Sequence, residues 1–140
     1  MKRTVMLSIE GRQSYAGQKP EVIELVTEGV LEQTDTGWII RYEESDLTGM
    51  QGVTTTFTVE DKKLILTRTG KLNSQMVFQE GIRHESLYQM EFGAQMICVC
   101  ARKFKTELSV DGGTIDLSYG IEIEQTEAGT IEYHLDIKPQ

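Results

Sequence analysis

Apolar and polar residues alternate with a period of two along nearly the whole chain. Val5, Leu7 and Ile9 share one face of a first segment. Val53, Thr55, Phe57 and Val59 alternate against Thr54, Thr56 and Thr58. Ile115, Leu117, Tyr119, Ile121 and Ile123 run without a break, and Ile131, Tyr133, Leu135 and Ile137 repeat the pattern. This is the period of a strand with one buried face, and helical spacing is hard to find. β-branched residues are plentiful, and the two prolines, Pro20 and Pro139, fall outside any strand interior. The first strand is expected over about Arg3 to Ser14 and the second over about Glu21 to Thr34. The second carries apolar residues on both parities, so a bend is expected at Gly29. Met96 to Arg102 and the stretch holding Phe104, Leu108 and Val110 are read as separate segments.

The segments number about ten, joined by short turns at a spacing of roughly 10–14 residues. Consecutive strands with short turns are antiparallel neighbours. So large an open sheet would leave two long edges, and closure removes them. The expected fold is all-β: one domain over residues 1–140, an antiparallel up-and-down β-barrel of roughly eight to ten strands. A flattened sandwich is the alternative.

Charge narrows the partners. The chain holds 14 Lys and Arg against 22 Asp and Glu, a net charge of −8. Such a surface repels phosphate backbones and anionic lipid heads, so neither nucleic acid nor membrane is expected as a partner. No apolar run reaches the length of a membrane helix. Lys2 and Arg3 precede only a short apolar run ended by Glu10, too short for a signal sequence, so a cytoplasmic setting is expected. Cys98 and Cys100 stand two apart. In a strand they share a face at a spacing that disfavours bridging, and they are expected to be reduced, unmetallated core residues.

Several short motifs, in this order and spacing, carry a likeness. They are the run Trp38 to Glu44, Gly52-Val53-Thr54-Thr55, Arg68-Thr69-Gly70, Met76-Val77-Phe78-Gln79-Glu80-Gly81, then Tyr88 and Gly93. On these the chain resembles the YwiB-like family of bacterial proteins, a domain of unknown function with a calycin-like (lipocalin-like) barrel. The family pattern after the tyrosine reads Tyr-x-Thr-Pro-x-Gly. Here it is Tyr88-Gln89-Met90-Glu91-Phe92-Gly93, without the threonine or the proline. The resemblance implies a calycin-like fold and a cytoplasmic bacterial setting, and it implies no activity.

Strand phase singles out a polar set. Arg68 is in phase with Leu64 and Leu66, and Glu44 with Trp38, Ile40 and Tyr42. Tyr88 and Glu80 are in phase with Met90 and Phe78. A charge facing a barrel interior is costly unless paired and hydrogen-bonded. Arg68, Glu44, Tyr42, Tyr88 and Glu80 therefore form the candidate ligand site, with Arg68 expected to pair with Glu44 or Glu80. The bland alternative is a structural Arg–Glu plug or solvated strand ends.

No catalytic constellation emerges. His84 and Ser86 share a strand face, where side chains at i and i+2 splay rather than converge, and no nucleophile elbow is present. His134 reads as surface. The acidic row Glu24, Glu28 and Glu32 cannot wrap a cation as a loop does. The expectations are no enzyme activity, no metal and no cofactor. The first function class is a barrel binding a small amphipathic molecule in its interior or mouth. The alternative is a protein-interaction or self-association module, monomer or homodimer, with its core filled by Trp38, Phe57, Phe78, Tyr88, Phe92, Phe104, Tyr119 and Tyr133.

Overall fold

The computed structural model describes residues 2–15, 17–45, 51–90, 93–123 and 126–140, with the backbone alone at 87–90 and 127. Its strands are β1 Lys2–Tyr15, β2 Glu21–Gln33, β3 Gly37–Glu43, β4 Val53–Glu60 and β5 Lys63–Gly70. They continue as β6 Ser74–Phe78, β7 Arg83–Met90, β8 Gly93–Ser109, β9 Gly112–Ile123 and β10 Thr126–Pro139. No helix among the described residues is long and apolar enough to cross a membrane.

All ten strands belong to one sheet, in the order β6-β5-β4-β3-β2-β1-β10-β9-β8-β7. Every ladder between strands is antiparallel, and β1 lies between β2 and β10. The sheet's outer strands, β6 and β7, are consecutive in sequence. They are drawn together by the bridge Gln79–Ile82 and by a parallel bridge from Glu80 to Ala101 of β8. The result is a nearly closed up-and-down barrel.

Alternation fixes the inside. Val5, Leu7, Leu31, Ile40, Phe57, Leu64, Leu66, Phe78, Ile115, Leu117, Tyr119 and Leu135 are buried together in one core. Trp38 and Ile121, expected among them, are half-buried and pack against the core's rim. Phe104 and Tyr133 do the same. The side chains of Tyr88 and Phe92 lie outside the described residues.

Two expectations change. The segments around Met96 and Phe104 are one strand, β8, whose register with β9 shifts between Ala101 and Lys103. A bulge adds a residue without ending the strand, so apolar phase flips across it and mimics a break. The cysteines are not core residues. Ile97, Val99 and Ala101 take the inward positions of β8, so Cys98 and Cys100 face outward, half-buried and free. At Gly29, where β2 begins to pair with β3, an added Cβ would sit 2.8 Å from the Arg41 carbonyl oxygen and 2.6 Å from Leu7 Cδ1. The missing side chain lets β1, β2 and β3 approach there.

Candidate ligand site at the barrel mouth

Register gathers one polar set at one end of the barrel. Tyr42 and Glu44 lie at the end of β3, Thr55 near the start of β4 and Arg68 near the end of β5. Tyr42 pairs with Thr55, Thr55 with Arg68, and Arg68 with Ser74 of β6. Directly opposed residues share a face, so these side chains point inward as a row. Arg68 is 7% exposed and Glu44 is 6% exposed.

Each group is held differently. The Thr55 hydroxyl donates to Glu44 Oε2 at 2.5 Å, and Tyr42 hydrogen-bonds the same carboxylate. Burial, then the Glu44 charge, pushes the Tyr42 phenol far above its ordinary pKa, so it stays a donor. Arg68 Nη2 donates to the Tyr133 hydroxyl at 3.3 Å. Burial works against the Arg68 charge, the oxygens of Tyr133, Tyr119 and Tyr42 work for it, and the guanidinium stays charged.

The expected pairing of Arg68 with a carboxylate does not occur among the described residues. Its partner is Tyr133, which reaches it across the lumen from β10. Glu44 lines the same cavity as Arg68 but is held by Thr55 and Tyr42. Glu80 is exposed and lines a different recess with Lys62 and Gln79. The physical reason is register. Arg68 opposes Ser74, so Glu80, six residues further along, is carried roughly 20 Å toward the other end of the barrel. The Tyr88 backbone pairs with Gln95 at the Arg68 end, but its side chain lies outside the described residues.

Two cavities flank the Arg68–Tyr133 pair. One, of roughly 110 Å³, has Tyr42, Glu44 and Arg68 on its polar side and Ile9, Ile23, Leu25 and Ile131 on its apolar side. The other, of roughly 250 Å³, runs past Met76, Ile97 and Tyr119 toward Ile121 and Ile123. Among the described residues, Arg68 Nε and Ser74 Oγ are buried without a hydrogen-bond partner. The larger recess on the outer surface, roughly 480 Å³, lies over Glu10, Arg12, Asp116 and His134. In it His134 Nδ1 lies 2.6 Å from Asp116 Oδ1.

His84 Nε2 meets Gln79 Oε1 at 2.8 Å. No cluster of metal-ligating side chains is present among the described residues.

The comparisons with known proteins agree with this architecture. The family model described as "Domain of unknown function (DUF1934)" matches residues 7–137. The chain belongs to this family. Its fold is that of the ywiB protein from Bacillus subtilis, whose crystal structure superposes with a TM-score of 0.83 at 18% identity, covering 96% of this chain and 92% of that one. No curated protein matches the chain. For this member of the YwiB-like family the barrel is therefore established, and the chemistry of its mouth must be read from its own residues. Tyr133 is the site residue that sequence phase marked as inward but did not connect to Arg68. The signal was there in its alternation with Ile131 and Leu135, yet phase says which side a residue faces and not what lies across the lumen.

Proposed function

We propose that the protein is a non-enzymatic barrel that binds a small amphipathic anion in its mouth. The observation that carries this is Arg68: a permanently charged guanidinium, 7% exposed, with Nε unpartnered among the described residues and beside a cavity. A buried cation with spare donors favours an anionic head, and Ser74 Oγ, its cross-strand neighbour, adds a second unpartnered polar atom. The apolar walls on either side suit a short tail. Volume sets the scale. Cavities of roughly 110 and 250 Å³ fall below the ~300–1,000 Å³ of drug-sized sites, so the ligand has few heavy atoms.

The test is calorimetric titration with butyrate, hexanoate and octanoate, each against its alcohol. Carboxylates should bind and raise the unfolding temperature, by about 2.7 kcal/mol of linkage at a hundredfold excess over Kd. Arg68→Met should abolish this while the fold persists. Equal response to acid and alcohol, or undiminished binding by Arg68→Met, defeats the reading.

A second reading, self-association, has its own support. Val22 and Val26 are 46% and 68% exposed on the outer face of β2. Among the described residues, the Glu21–Gly29 stretch of β2 pairs only with β1. Sedimentation of the wild type against Val26→Lys separates this reading from the first.

A further inference from the structure

The two cavities that flank Arg68 share a wall: Tyr133, Arg68, Ile131 and Gln13 line both. What stands opposite Tyr133 sets the place of its ring. Directly across the β1–β10 ladder is Gly11, where an added Cβ would lie 3.2 Å from Tyr133 Cε1 and 3.5 Å from Cδ1. The ring therefore leans over the glycine. Gly11 is not among the residues with positive φ, so its backbone does not require glycine. The missing side chain is what seats the ring, which also stacks on Tyr119 with centroids 6.5 Å apart.

The two cavities differ in charge. The smaller, of roughly 110 Å³, is lined by the Glu44 carboxylate. The larger, of roughly 250 Å³, is lined by Met76, Ile97, Ile121 and Ile123 and does not include Glu44. An anionic head is repelled from the Glu44 side, so it meets Arg68 from the larger cavity. The Tyr133 hydroxyl is beside it there. That hydroxyl accepts from Arg68 Nη2 and, among the described residues, donates to no acceptor, although a phenol can do both.

We propose that Tyr133 determines which ligand the mouth takes: its hydroxyl donates to the anionic head beside Arg68, and its ring closes the larger cavity off from Glu44, so that the tail is a short uncharged hydrocarbon chain. The ligand class is then the short monocarboxylates. This rests on the anion-binding reading of the mouth and adds the residue that sets its selectivity.

The experiment is calorimetric titration with butyrate, hexanoate, octanoate and decanoate, with 6-aminohexanoate set against hexanoate. In the wild type, affinity should rise about fourfold per added methylene until the chain fills the larger cavity, and then stop rising. Tyr133→Phe keeps the ring and loses the donor. It should weaken every carboxylate by a similar factor, about two- to tenfold, and leave the break at the same length. Tyr133→Leu also removes the ring and should move the break to longer chains. 6-Aminohexanoate should bind at least about tenfold more weakly than hexanoate, since its ammonium meets an apolar wall. Circular dichroism checks that each variant is folded, and Tyr133→Phe and the amino ligand keep the test decisive if Tyr133→Leu does not fold. The failures separate. A wild type that binds no carboxylate overturns the anion-binding reading and this inference with it. Three results overturn the role of Tyr133 alone while Arg68-dependent binding stands. They are undiminished binding by Tyr133→Phe, an unmoved break in folded Tyr133→Leu, and 6-aminohexanoate binding as tightly as hexanoate.

Discussion

Arg68→Met should make the protein more stable. The guanidinium is buried, and desolvating a charge costs several kcal/mol unless its partners return that energy. Its partner among the described side chains is the Tyr133 hydroxyl at 3.3 Å, a long bond worth about 1 kcal/mol net. Its Nε has none. Glu44 does not depend on it, because Thr55 and Tyr42 hold that carboxylate. Methionine keeps most of the stem's packing and removes the charge. Replacing a buried ion by an apolar group of similar volume gains about 1–3 kcal/mol where pairing is poor. Urea unfolding followed by circular dichroism reads this as a higher midpoint at unchanged slope. Thermal unfolding should rise by about 3–4 °C per kcal/mol. Arg68→Ala, which opens a void beside an existing cavity, should gain less or lose. A loss above about 1 kcal/mol in Arg68→Met at unchanged slope would refute the reasoning, since it would mean the charge is well paired. A gain would make Arg68 a residue kept at the expense of stability, as binding residues are.

Thr55→Val should cost about 1–3 kcal/mol in urea unfolding, because it strips a donor from a buried carboxylate. Gly29→Ala should cost a similar amount, about 1–3 kcal/mol, as its Cβ meets a carbonyl oxygen that cannot yield; a neutral effect would mean that β2 and β3 are free to separate there. His134 should titrate above its ordinary 6.5, held up foremost by its hydrogen bond to Asp116, against the opposing effect of burial, and further by the charges of Asp116 and Asp136. With the folded midpoint raised, its stabilising contribution is fully present below pH 6.5 and is lost as pH rises through that midpoint; an NMR titration centred below 6.5 contradicts this. Both thiols should titrate as free in the unfolded, non-reduced protein, and their absence would contradict the free cysteines of β8.

Local rules reach a long way in this chain. Two-residue alternation identified strands, and it placed Arg68, Glu44 and Tyr42 on the inner face, because a strand's side chains alternate whatever it pairs with. Short turns between strands dictated antiparallel neighbours in chain order, and the need to remove two long edges dictated closure. Alternation fails at the Arg102 bulge, where one extra residue splits the pattern of a single strand. It also misassigned the cysteines, since in a run apolar on both parities it cannot tell inside from out. What no local rule contains is distance across the lumen. Arg68 and Tyr133 are 65 residues apart and meet only because the barrel brings β5 and β10 to face one another. Arg68 and Glu80 are near in sequence and in phase, yet an antiparallel register sends them to opposite ends. Phase is a property of one strand, whereas partnership depends on register and curvature summed over many strands, and those exist only once the barrel has formed.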